Sequence, residues 1–210
     1  LKEAKMDLRT AKILGGIGAI LTLFFIIPFA GWFLSIAGVI LVLISVKTIS
    51  DLTKEHKIFT NYLVAAILSF VGSLALLFGG AALMFRKAGF FADGLRNFSI
   101  GHGLWNYGMM GPDTRGGHPG LVILAVVITI VVAWVFSIVA GYFTKSSFDE
   151  MGKKTGEKNF KTAGLLIFLG SIFLVLFGAG VIVLLVGVIF EIIAFFSLPN
   201  KLVEPELPQT

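Results

Sequence analysis

The sequence consists mainly of apolar runs long enough to cross a membrane, separated by short segments that carry most of the charge. A helix needs about 20 apolar residues to cross a bilayer, with about 17–25 as the working range. In lipid every backbone polar group must be satisfied internally, which a helix does within its own segment. The pattern therefore predicts an all-α fold: a polytopic transmembrane helical bundle of six spans, N-in and C-in. A cytoplasmic N-terminal segment, 1–12, leads into a transmembrane domain, 13–198. Its spans are expected at about 13–29, 32–49, 61–85, 121–143, 163–178 and 181–198. An outer loop covers 86–120, cytoplasmic hairpins cover 50–60 and 144–161, and a cytoplasmic tail covers 199–210.

Proline and glycine punctuate the runs. P-F-A-G-W, from Pro28 to Trp32, breaks the first run, and Trp32 suits the lipid–water interface. The stretch from Ala163 to Leu198 is too long for one ordinary span, and G-A-G at Gly178 to Gly180 divides it. If that stretch continued as a kinked helix, there would be five spans and the C-terminus would lie outside. Pro199 stops the last helix.

Composition agrees. Hydrophobic residues make up 57% of the 210 and charged residues 14%. Soluble domains carry about 45–50% apolar and about 25% charged residues. The excess needs lipid to cover it, which places the chain in a cell membrane as a multi-pass protein. Cysteine is absent, which excludes disulfides, thiolate metal sites and cysteine nucleophiles. The net charge of +5 does not point to nucleic acid, because the basic residues sit between apolar runs and encode topology. The first apolar run has a basic flank but is followed almost at once by a second, so a cleaved signal is not expected. Leu1 is not a usual initiator, and Met6 is a candidate start.

Lysine and arginine set the orientation, since cytoplasmic segments collect them. Thirteen of the 17 fall in the N-terminal segment, the two hairpins with Lys47, and the tail. The outer loop holds the other four, Arg86, Lys87, Arg96 and Arg115. The sequon Asn97-Phe98-Ser99 falls in that same loop, making Asn97 a candidate glycosylation site. Weak internal echoes also occur. I-G-A-I at Ile17 resembles L-G-S-I at Leu169, G-V-I recurs at Gly38 and Gly187, and Lys57-Ile58-Phe59 resembles Lys158-Asn159-Phe160. The paired spans would run in the same direction, so any duplication is a parallel one and not the inverted repeat of many transporters.

Several motifs carry a resemblance. They are K-I-L-G-G-I-G-A-I at Lys12 to Ile20, L-V-L-I-S-V-K-T-I-S-D at Leu41 to Asp51, and I-F-T-N-Y-L-V-A-A-I-L at Ile58 to Leu68. The second hairpin and the closing F-F-S-L-P at Phe195 to Pro199 add to them. Together they resemble an archaeal integral membrane family known only as domain of unknown function 996. The resemblance covers nearly the whole chain outside the glycine-rich loop. It implies an archaeal cell membrane and brings no activity, cofactor or active-site residue.

Glu191 is the one carboxylate inside an expected apolar span. Intramembrane carboxylates are costly and point first to function. Apart from Lys47, placed to snorkel at the end of the second span, no lysine, arginine or histidine lies inside a span to pair with it, and the neutral acid is its expected resting form. Gly187, one turn earlier on the same face, leaves room beside the carboxyl. A proton or cation relay uses such a site. The alternative is a neutral acid hydrogen-bonded to a neighbouring helix, with Ser35, Ser45, Ser69, Ser73, Thr129, Ser137 or Ser171 as partner. Small residues recur every four positions at Ala11, Gly15 and Ala19, and at Ala65, Ser69 and Ser73. Such spacing lets helices approach closely in lipid, within one chain or between copies.

The outer loop holds nine glycines, five aromatics, His102, His118, Asp93 and Asp113, without a tight metal-ligand spacing. G-H-G at Gly101 is not a phosphate loop, and Ser99 with His102 lacks an orienting acid. No catalytic residue, metal or cofactor is expected. The loop's aromatic composition suits the outer interface or a partner surface, or a lid over the bundle. The lysines of the two hairpins suit topology and solvated helix ends, with anionic head groups as a further binding option. Two functions fit. The first is a non-catalytic accessory or scaffold subunit, packing as a homo-oligomer or in a larger membrane complex. The second is a small transporter or channel using Glu191. Topology has a direct test in a chain without cysteine. A thiol reagent that cannot cross membranes should label Ser99→Cys from outside and Lys154→Cys only after lysis, and the reverse pattern would overturn the orientation.

Overall fold

The computed structural model describes residues 7–24, 30–98, 119–176 and 178–199, and it is helical throughout. Its elements are α1 (Leu8–Leu23), α2 (Ala30–Thr53), α3 (His56–Phe98), α4 (Pro119–Thr155), α5 (Asn159–Phe173) and α6 (Ala179–Phe196). Four segments are long and apolar enough to cross a membrane: Phe33–Thr53, His56–Gly79, Leu124–Thr155 and Ala179–Phe196. Helix α5, with 15 residues, is a shorter apolar helix, and α1 has 16. At about 1.5 Å per residue, these two fall short of a hydrocarbon core of about 30 Å.

Helix ends depart from the apolar boundaries in two places. Helix α3 continues past the apolar run into the expected outer loop, as far as Phe98, and α4 begins at Pro119. Helix α4 continues through the first half of the second hairpin to Thr155. The α4 extension is polar, and the α3 extension mixes charged residues with phenylalanine, alanine and glycine. Helix propagation adds a hydrogen bond per residue once nucleated, so a long apolar helix carries its flanks with it. Residues 99–118, with His102, Asp113 and His118, lie outside the described residues, as do 25–29 and the tail from 200.

The chain divides into two compact units. One comprises residues 1–70 and 136–210, and the other 71–135. In the smaller unit α3 and α4 pack at Gly79, where an added Cβ would lie 2.6 Å from Thr129 Cγ2. The larger unit holds the fully buried residues and both charged turns. There, successive helices run antiparallel. In the α5–α6 pair, Gly170 meets Leu184, Gly187 meets Ile167 and Gly180 meets Leu174, so partners pair in opposite order. The chain therefore turns between α5 and α6, at Gly178, whose φ of +88° suits only a residue without a side chain. In the α1–α2 pair, an added Cβ at Gly18 would lie 2.7 Å from the Gly38 carbonyl oxygen, and one at Gly38 2.6 Å from that of Gly18. The first charged turn is closed by Lys54 at φ +55° with Glu55 N–H donating to Ser50 O at 3.0 Å. That six-to-one bond ends α2 in a Schellman geometry.

An aromatic chain joins the last four helices. Tyr62 of α3 stacks on Phe148 of α4 at 5.8 Å, Phe148 meets Phe160 of α5 edge-on at 5.6 Å, and Phe160 meets Phe195 of α6 edge-on at 5.2 Å. The Phe195 ring then lies directly on Gly15 of α1, which also faces Ser45 Oγ of α2. Ser45 Oγ donates to Ala11 O at 2.6 Å, and Ser147 Oγ donates to Ile58 O at 2.7 Å. Lys12 Nζ donates to Leu198 O at 3.2 Å, so the start of α1 and the end of α6 share one end of this unit.

The two terminal hairpins repeat one another. Ala30-Gly31 and Gly38-Val39-Ile40 of α2 recur as Ala179-Gly180 and Gly187-Val188-Ile189 of α6 at the same spacing. Gly31, Gly38, Val42, Ser45, Val46 and Ile49 are buried, and so are their counterparts Gly180, Gly187, Glu191, Ala194, Phe195 and Leu198. Helices α1 and α5 echo similarly, with Leu8, Ala11, Gly18 and Ala19 buried against the counterparts Phe160, Ala163, Gly170 and Ser171. The repeat is parallel. Phe195→Ala should lower stability towards the low end of about 3–5 kcal/mol, because lipid removes part of the transfer term. Phe33→Ala, at a side chain 74% exposed, should stay within about 0.5 kcal/mol. Thermal unfolding in detergent distinguishes them, and equal effects would refute the role given to the aromatic chain.

Candidate functional site

Helix α6 is almost wholly apolar, and its buried stripe is Gly180, Gly187, Glu191, Ala194 and Phe195. Glu191 stands in the middle of that stripe with only 7% of its surface exposed. Gly187 and Phe195, one turn to either side, fix its surroundings. The space that Gly187 leaves is occupied by α5: an added Cβ would lie 2.9 Å from Ile167 Cγ1 and 3.0 Å from Ile167 N. Gly187 thus serves close helix approach beside the carboxyl. Across from α6, the Tyr62 phenol of α3 lies within electrostatic range of Glu191. Phe190, Ile192, Ile167 and Tyr62 border the same core.

Among the described residues Glu191 accepts no hydrogen bond and joins none of the ion pairs. Three of the hydroxyls offered as partners by the sequence bond to backbone carbonyls. Ser45 donates to Ala11 O, Ser171 to Phe168 O and Thr129 to Ala125 O. No fully enclosed side-chain oxygen among the described residues lacks a partner. The unbonded carboxyl oxygens of Glu191 therefore keep a sliver of accessible surface. At the repeat-equivalent position α2 carries Val42, also buried. Packing at this position in the other hairpin is met by a valine, so the carboxyl is an addition to the repeat and not a requirement of it.

The other singled-out residues fall as follows. Gly15 and Ala19 are buried on α1, and Gly15 sits where α1, α2 and α6 meet. Ser69 and Ser73 are exposed on α3, whereas Ala65 of the same series is buried. Asn97 falls on the last turn of α3. No group of three or more His, Cys, Asp or Glu gathers among the described residues. In the charged turns Lys145 pairs with Asp149 at 2.7 Å, Lys153 with Glu150 at 2.6 Å and Lys154 with Glu55 at 3.4 Å. The last pair joins the two turns. Solvent-accessible pairs of this kind contribute little to stability. Glu150 also holds the Lys153 ammonium above its ordinary pKa, first through their hydrogen bond. Lys47 lies over the Phe59 ring, 5.4 Å from its centroid. Sequence reasoning missed Tyr62 and the aromatic chain. The signal was present, in aromatics spaced within a turn or two of each charged segment, and in the α2–α6 repeat that sets Glu191 against Val42.

Comparison with known proteins adds a family. Residues 34–189 match the family described as "Protein of unknown function (DUF996)". The chain is also 31% identical over 199 residues to an uncharacterised protein of Methanocaldococcus jannaschii, covering 94% of this chain and 97% of that protein. No solved structure matches. The repeat makes a specific prediction about folding. Glu191→Val should leave thermal stability unchanged or raise it, because it removes an unpaired carboxyl and copies the α2 packing. A loss above about 2 kcal/mol in detergent unfolding would instead mark the carboxyl as structural.

Proposed function

The chain belongs to the DUF996 family of proteins of unknown function, and from that premise we propose that it is a small transporter or channel whose working position is Glu191. Its apolar helices mark it as a membrane protein. In the proposed topology both termini are cytoplasmic and the protein sits in the cell membrane. The shared end of α1 and α6 supports termini on one side, and the lysine and arginine distribution supports the cytoplasmic side.

One observation carries the reading. Glu191 is buried in an apolar helix without a hydrogen bond or ion pair among the described residues, where the repeated helix carries valine. A carboxyl kept for inter-helix adhesion would be hydrogen-bonded across the interface. An unpaired one, costly and dispensable for packing, fits a group that exchanges its bound species. The scaffold reading keeps one specific support. Ser69 is a small polar residue on an exposed apolar stretch of α3, beside exposed Ile67 and Phe70, and close contact with a second helix uses such a position. In that reading the partner is a second copy or a larger membrane complex.

The test is flux in lipid vesicles. Wild-type protein should carry proton or cation flux above that of protein-free vesicles, and Glu191→Gln should bring it down to that background while eluting as the wild type does. Equal flux in the two proteins would remove the transport reading and leave the scaffold.

A further inference from the structure

Helix α6 is unbroken from Ala179 to Phe196, so Glu191 lies within a continuous hydrogen-bonded backbone. Sodium and other hard cations need several oxygen ligands, and membrane transporters supply them from unwound helices whose carbonyls are freed. Here no unwinding occurs around Glu191. No second acid or histidine joins it in a cluster among the described residues. The space beside it is filled by Ile167, packed into the position that Gly187 vacates. What the site does offer is one carboxyl with unbonded oxygens and, from α3, a phenol within electrostatic range.

Resting on the reading of Glu191 as the working position, we propose that the species bound there is a proton, carried by the Glu191 carboxyl, and not a metal cation. Binding forms one O–H bond on a carboxylate oxygen and neutralises the group; release breaks the same bond and leaves the carboxylate, with no other bond altered. Neutralisation removes the charge that an apolar helix junction disfavours most. A proton needs no coordination shell and no cavity, which matches a site closed by Ile167 on one side. The charged groups on the packed helices are engaged elsewhere or exposed. From α3 the facing group is Tyr62. On α1, Lys12 is bound to Leu198 O, and Arg9 is exposed. On α5, Lys161 is exposed, and on α4 Lys145 is held by Asp149. On α2, Lys47 lies over Phe59. Glu191 is also the one acidic residue of α6.

Dicyclohexylcarbodiimide is a suitable probe, because it enters bilayers and modifies the protonated form of a buried carboxyl. The full chain in lipid vesicles is labelled across a pH series, with and without saturating sodium, potassium or magnesium, and the adduct is located by mass spectrometry. The expected result is an adduct on Glu191 that declines as pH rises and is indifferent to the cations at fixed pH. Glu191→Val, folded on the precedent of Val42, should lose the adduct completely. Tyr62→Phe should move the pH midpoint, and an unmoved midpoint would remove the phenol from the site. Protection by a cation at constant pH would overturn the proton assignment while leaving Glu191 as the working position. No adduct on Glu191 at any pH, in protein that unfolds at the wild-type temperature, would also overturn the assignment. Unchanged flux in Glu191→Gln would then take the proposed function with it.

Discussion

The contact between the Phe195 ring and the backbone of Gly15 is the joint on which the larger unit depends. In lipid, helices gain little from burying apolar surface against one another, since the tails are as apolar as leucine. What holds them is close packing, in which each atom pair contributes about 0.1–0.2 kcal/mol and the sum decides. A glycine lets an aromatic ring approach the helix backbone closely and multiplies those pairs. At Gly15 the ring comes from α6 and the Ser45 hydroxyl from α2, so one position fastens three helices. From Phe195 the aromatic chain runs on through Phe160, Phe148 and Tyr62 to α5, α4 and α3. A side chain at residue 15 would push the ring away and loosen every later link.

Glu191 sits one turn from that joint, which explains how an unpaired acid is tolerated. The packing around it is fixed by Gly187 against Ile167 and by Phe195 against Gly15, neither of which involves the carboxyl. Stability therefore comes from the stripe, and the acid occupies a position the stripe does not need. In α2 the same stripe is completed with Val42, which lies against Gly18. Two hairpins of common plan thus differ at one buried position in the property that matters most in lipid, the ability to carry charge. Polar groups serving only structure behave differently here. Ser45, Ser147 and Ser50 each return a hydrogen bond to a backbone carbonyl, at Ala11, Ile58 and Glu55.

The charged turns form a separate layer of organisation. Lys154 with Glu55 ties the α2–α3 turn to the α4–α5 turn, while Lys12 caps the carbonyl end of α6. A cation near a helix C-terminus interacts favourably with the helix dipole. These contacts are individually weak in water. Their importance is positional, because they gather at the end of the unit where α1 begins and α6 ends.

The sequence by itself determined the helical membrane class, the turn at Gly178 and the singularity of Glu191. Run length, proline and glycine punctuation, and the cost of charge in hydrocarbon are local properties, readable without knowing what packs on what. It also carried the family resemblance that the comparisons bear out over residues 34–189. Tertiary structure alone decided three things. It decided that Gly187 receives Ile167 and opens no space of its own, since a glycine in a sequence does not say which helix approaches it. It set Tyr62 of α3 on Phe148 of α4, against the core that α6 also lines. And it decided which small residues pack inward, burying Gly15 and Ala19 while leaving Ser69 exposed. The physical reason is the same in each case. In an apolar bundle almost every face of every helix reads alike, so composition says that helices pack but not which side meets which. Only the register of one helix against the next resolves that, and register is a property of pairs.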